Sequence, residues 1–84
     1  MPYINPVKRK SYDQYLDPIP FILTKGDLEY VIFKVLKKYM SDKDYRYCDL
    51  HDCVYACQHA ADEFRRRYLD KREDEAREQN GDIE

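Results

Sequence analysis

The sequence predicts an all-α fold: two main amphipathic helices in an antiparallel hairpin, an irregular or short-helix segment before them, and a helical extension after. Two observations predict it. Apolar residues recur at helical spacing over residues 28–39 and again over residues 50–68, each placing one face of a helix against a core. Each run also follows a residue suited to cap a helix, Thr24 in the first case and Asp49 in the second, because a side-chain oxygen there can accept from the unpaired amides of the first turn.

The elements follow in chain order. Residues 1–23 form a largely irregular lead-in. Pro2 and Pro6 remove backbone donors and turn Met1 and Asn5 away from helix. Over residues 13–23 a turn of helix up to Asp17 gives way to extended chain, since Pro18 and Pro20 are hostile to a continuous helix. Ile19, Phe21, Ile22 and Leu23 then enter the core.

Helix A spans residues 24–41. Thr24 caps it, with Asp27 in capping-box position. Leu28, Val31, Ile32, Val35, Leu36 and Tyr39 line its core face. Lys34, Lys37 and Lys38 gather toward the end where the helix dipole favours cations. A charged loop carrying Tyr45 and Tyr47 covers residues 42–48.

Helix B spans residues 49–69, with Asp49 as N-cap and a stripe of Leu50, Cys53, Val54, Cys57, Ala61, Phe64 and Tyr68. Asp62–Arg66 and Glu63–Arg67 are favourable pairs four residues apart on its outer side. Residues 70–80 are almost purely charged and extend the helix until Gly81. Gly81 ends it in a left-handed cap, and Ile83 folds back against the last turn.

With 84 residues the chain has room for one domain, residues 1–84, and a thin core that a partner subunit commonly completes. Its mean hydropathy is −0.93, and nine tyrosines supply much of its apolar surface. The formal net charge of −2 divides into +3 over residues 1–40 and −5 over residues 41–84. That balance disfavours a general nucleic-acid binder. The opening residues lack a secretory core and no stretch is long and apolar enough for a membrane span. A cytoplasmic setting follows, with the three cysteines reduced.

Cys48, His51, Cys53, Cys57 and His59 are five metal-ligand types within twelve residues. On helix B they fan around the axis, whereas zinc needs four converging ligands. No metal or other cofactor is expected. Cys57 and His59 point apart, the carboxylates lie in solvated runs, and two glycines make no phosphate loop. No catalytic residue is assigned, and the chain reads as a non-enzyme.

Three segments resemble a family of short helical proteins of unknown function found in bacteriophages and prophages. They are PYINP (Pro2 to Pro6), GDLEYVIFKVL (Gly26 to Leu36) and the ending ACQHAADEFRRRYLDKREDEAREQNGDIE. The ending carries the E-F-x-R-R step, the E-D-E segment and the terminal N-G-D. Pro18 and Pro20 depart from the pattern, in which a more helix-compatible segment is usual. The resemblance implies phage origin and a compact helical unit, and it brings no activity with it.

Tyr30 and Phe33 lie opposite the core stripe of helix A, beside Lys37. Either the segment Phe21 to Leu23 folds over them or another subunit does. The expected role is a homo-oligomer that sequesters a small anionic ligand, such as a nucleotide immune signal, in counter-defence. Arg65, Arg66, Tyr55, His59 and Tyr68 are the candidate ligand residues, because guanidinium and aromatic rings bind phosphate and stack on bases. Tyr30, Phe33 and Lys37 are the candidate interface. The alternatives are an interaction module that inhibits or bridges a host or virion protein, and a structural phage component.

Overall fold

The computed structural model describes residues 2–84, so the expectation for Met1 lies outside the described residues. Among the described residues every regular element is helical. They are α1 (Pro6–Leu16), α2 (Lys25–Met40), α3 (Tyr47–Phe64), a five-residue π-helical turn (Arg65–Leu69) and α4 (Asp70–Asn80). The fold class is all-α. The chain divides into two compact units, residues 3–53 and residues 54–84, with Pro2 assigned to the second.

In the first unit, the segment expected to be irregular contains an 11-residue helix, α1. The physical reason lies in Asn5 and Pro6. The Asn5 side chain accepts from the Lys8 amide at 2.8 Å, and Pro6 stands in the first turn, where its missing N–H costs nothing and its fixed φ suits the helix. Arg9 adds a guanidinium hydrogen bond to the Ile4 carbonyl at 2.7 Å. The helix ends before Pro18, and residues 20–23 are in no regular element.

α2 begins after Thr24, whose hydroxyl accepts from the Asp27 amide at 3.0 Å. Ser41 closes it by returning its hydroxyl to the Lys38 carbonyl at 2.7 Å. Lys43 organises the turn beyond. Its ammonium donates to the Tyr39 carbonyl at 3.0 Å and to Asp42 Oδ1 at 3.0 Å, and it lies 3.9 Å from the Tyr39 ring centroid.

α3 starts at Tyr47, two residues earlier than the expected cap at Asp49. Tyr45 takes φ of 57°, a left-handed conformation that a bulky side chain adopts at a cost. The chain thus enters the helix sooner: the Arg46 carbonyl already accepts from the Leu50 amide at 3.0 Å. Asp49 therefore sits inside the first turn, 3.6 Å from the Arg46 guanidinium.

The core of this unit is narrow. Met40 and Cys53 are the buried hydrophobic residues, at 3% and 7% exposure. Cys53 donates its thiol to the Leu36 carbonyl at 3.8 Å. The covered side of α2 thus runs through Leu36, half-buried and one of the residues expected on the core face, and Met40, about 40° apart around the helix. The face expected to be core is largely open instead, with Leu28, Ile32, Val35 and Tyr39 all exposed. Tyr39 and Met40 are adjacent in sequence and about 100° apart, so a core built on one leaves the other wet.

In the second unit the helix continues from Val54 through the π-helical turn into α4. In that turn the Asp70 amide donates to the Arg65 carbonyl, five residues back. Residues five apart stand about 140° apart on an α-helix, and the wider π turn brings them together. The Arg65 guanidinium accordingly lies 3.5 Å from Asp70 Oδ1. α4 is polar on every side and buries no residue. Gly81 ends it with φ 85° and ψ 160°, so the chain leaves extended and does not turn back. Ile83, expected to fold against the last turn, is 99% exposed.

Candidate functional site

Two places gather the sequence-predicted residues, one in each unit. In the first unit, the segment after α1 runs beside the start of α2. Ile19, Pro20, Phe21 and Ile22 on one side, with Asp27, Tyr30 and Val31 on the other, line a groove of about 420 Å³. Pro18 and Pro20 keep this strip out of helix, and the α2 cap at Thr24 places Asp27 and Tyr30 on the turn that faces it. The groove is apolar apart from Asp27 and the Tyr30 hydroxyl.

The strip approaches Tyr30 but does not cover it: Phe21 is 95% exposed and Tyr30 64%. Phe33 and Lys37 lie further along α2 and are also exposed. Neither lines the groove. The interface candidates therefore divide, with Tyr30 in the groove and the other two outside it.

In the second unit, Glu63 gathers two of the three consecutive arginines. Arg66 donates to Glu63 through Nη2 at 2.7 Å and Nε at 3.3 Å. Arg67 Nε donates to the same carboxylate at 2.7 Å. The expected Glu63–Arg67 pair is present. Arg66 reaches Glu63, three residues back. Arg65 is turned to Asp70 by the π-helical turn. Arg66 and Arg67 thus share one carboxylate, and Arg65 has another.

The Phe64 and Tyr68 rings lie 4.8 Å apart and tilted. The Tyr55 and His59 rings lie 6.4 Å apart and nearly parallel. These are contacts within one helical face, one turn apart. Tyr55 and His59 stand at least six residues before Arg65, close to two helical turns away. Of the five ligand candidates, Tyr55 and His59 thus meet each other, while Arg65, Arg66 and Tyr68 contact Asp70, Glu63 and Phe64.

The cysteines differ in access: Cys48 is exposed, Cys53 buried and Cys57 intermediate. Among the described residues no three His, Cys, Asp or Glu side chains gather as a metal-ligand group. Asp42 and Lys43, at the turn after α2, are displaced from their ordinary titration range. The hydrogen bond from Lys43 holds the Asp42 carboxyl low, and the same bond holds the Lys43 ammonium high. This ion pair was not singled out in the sequence, where adjacent Asp and Lys give no signal. No helix among the described residues is long and apolar enough to cross a membrane.

No curated protein and no solved structure matches the chain. A family model described as a domain of unknown function (DUF6899) matches residues 1–83. With all but the last residue inside that match, the chain belongs to the DUF6899 family.

Proposed function

We propose that this chain is a non-enzymatic binding protein of phage origin that acts in the host cytoplasm through protein–protein contact, self-association included. One observation carries the reading: the groove along Phe21 and Tyr30 is apolar, open and bordered by a single carboxylate, Asp27. Aromatic rings with an apolar body and a polar tip favour protein interfaces. Asp27 would repel an anion there. The phage origin rests on the PYINP, GDLEYVIFKVL and E-F-x-R-R segments.

A second reading, sequestration of a small anionic ligand such as a nucleotide, is favoured by the run of Arg65, Arg66 and Arg67 next to Tyr68 in sequence. Thermal unfolding in the presence of mononucleotides and cyclic dinucleotides separates the two. A ligand at 100 times its Kd stabilises the folded state by about 2.7 kcal/mol, which raises the midpoint of a domain this size by roughly 10–20 °C. A rise of that order favours sequestration and counts against the protein-contact reading. An unchanged midpoint, with a protein partner captured by the wild type and lost by Phe21→Asp, supports protein contact.

A further inference from the structure

The helix of the second unit changes character at the π-helical turn. Phe64, Tyr68 and Leu69 bring apolar side chains up to it, and the Phe64 and Tyr68 rings lie 4.8 Å apart. Beyond it, every residue of α4 is exposed, and Ala76 is the one apolar side chain in DKREDEAREQN.

A helix draws most of its stability from packing one face, and an isolated helix shorter than about 12–15 residues is marginal in water. α4 has 11 residues and buries none of them. A helix polar all round then depends on ion pairs along its own surface. Those pairs offset one another here. Lys71–Glu75 and Glu73–Arg77 stand four residues apart with opposite charges, but Asp70–Asp74 and Asp74–Glu78 stand four apart with like charges, and the two kinds are similar in size. Among the described residues, the ion pair formed within α4 is Arg72–Glu75 at 3.9 Å, with side chains 83% and 52% exposed. Such a pair adds little in water. Asp70 and Glu73 near the start and Arg77 in the last turn suit the helix dipole, which holds the segment near balance between helix and coil.

The π turn sets where that balance ends. Its wider hydrogen bond, from the Asp70 amide to the Arg65 carbonyl, interrupts the regular ladder. The Arg65–Asp70 pair that spans it is 3.5 Å apart and solvent-exposed. We infer that α4 is an order–disorder segment hinged at this turn: residues 70–80 open and reclose together, while the chain up to Leu69 stays helical. The segments that switch in a fold are drawn from its least stable parts.

Amide hydrogen exchange of the full chain, read residue by residue by NMR, tests it. Residues 74–80 exchange within about tenfold of the rate of unstructured chain, evenly along the segment, and residues 56–64 at least about tenfold more slowly than they do. Asp74→Ala removes both like-charge pairs and gains helix propensity, so it slows exchange over residues 76–80 about two- to threefold and leaves residues 56–64 unchanged. Glu75→Pro breaks α4 and leaves the thermal midpoint within about 3 °C of wild type. A larger fall overturns the hinge, since a proline inside a helix that folds with the rest of the chain lowers the midpoint by roughly 12–24 °C. Equal exchange on the two sides of the turn, fast or slow, also overturns it. So does exchange that quickens smoothly from residue 60 to residue 80, which is ordinary fraying of a helix end.

Discussion

Met40→Ala tests the packing most sharply, because so little else is buried. Met40 is 3% exposed and sits beside the last turn of α2. Truncation to Ala removes three heavy atoms beyond Cβ, worth roughly 2.4 kcal/mol at about 0.8 kcal/mol each. The space left behind adds to that, which puts the cost at about 3 kcal/mol. A chain of 84 residues has a total stability of roughly 4–13 kcal/mol, so the change removes a large fraction of it. At about 4–8 °C per kcal/mol, the midpoint falls by roughly 12–24 °C. Far-UV circular dichroism on heating, at one fixed protein concentration, reads the shift. Val7→Ala on α1 is the control, since Val7 is 80% exposed and its truncation moves the midpoint little. A Met40→Ala midpoint within about 3 °C of wild type would refute the assignment of Met40 to the core.

Three further outcomes follow from local geometry. Asn5→Ala removes the side-chain acceptor for the Lys8 amide and costs about 1 kcal/mol, seen as loss of helical chemical shifts confined to α1. Tyr45→Gly removes the strain of a left-handed tyrosine at φ 57° and raises the thermal midpoint by a few degrees, about 1 kcal/mol; a lowered midpoint would mean that the Tyr45 ring matters more than its backbone. The Asp42–Lys43 pair gives a defined pH window. Asp42 is held below its usual 3.8, so its contribution is present above that value and disappears as pH falls through the lowered one. Lys43 is held above its usual 10.5, so its contribution is present below that value and disappears as pH rises through the raised one. The difference in midpoint between wild type and Asp42→Asn is therefore flat between about pH 5 and pH 9 and shrinks toward acid.

Much of α2 was legible because two independent signals agreed there: Thr24 as an acceptor and a long apolar periodicity. α1 was harder to see because the same residues support opposite inferences. A proline read as a lost donor argues against a helix, while a proline one position after an asparagine argues for the start of one. The α3 boundary moved because the turn before it depends on a left-handed tyrosine, a conformation no tyrosine announces. The π-helical turn has no sequence signal in RRRYL either, and it sends Arg65 to Asp70 in place of a partner four residues away. The widest departure concerns the core. Periodicity located the apolar face of α2 around Leu28, Ile32 and Val35, but it cannot say whether the chain or a partner covers that face. Here the chain half-buries Val31 and Leu36 of that face and buries Met40 beyond it.

Of the candidate site, helical spacing made the one-turn neighbours legible, such as Tyr55 with His59 and Glu63 with Arg67. The charge state of the arginines as a group was not, because it depends on Glu63 accepting from both Arg66 and Arg67. The groove needed the position of the strip from Ile19 to Ile22, which Pro18 and Pro20 make non-helical without saying where it lies.

The central claim is that this chain associates with copies of itself, with apolar side chains on α2 left exposed for contact. Light scattering of the purified full-length chain over a concentration series tests it most directly. The account predicts a weight-average mass that rises with concentration above the 10.2 kDa of one chain. A mass that stays at 10.2 kDa at every concentration would contradict it.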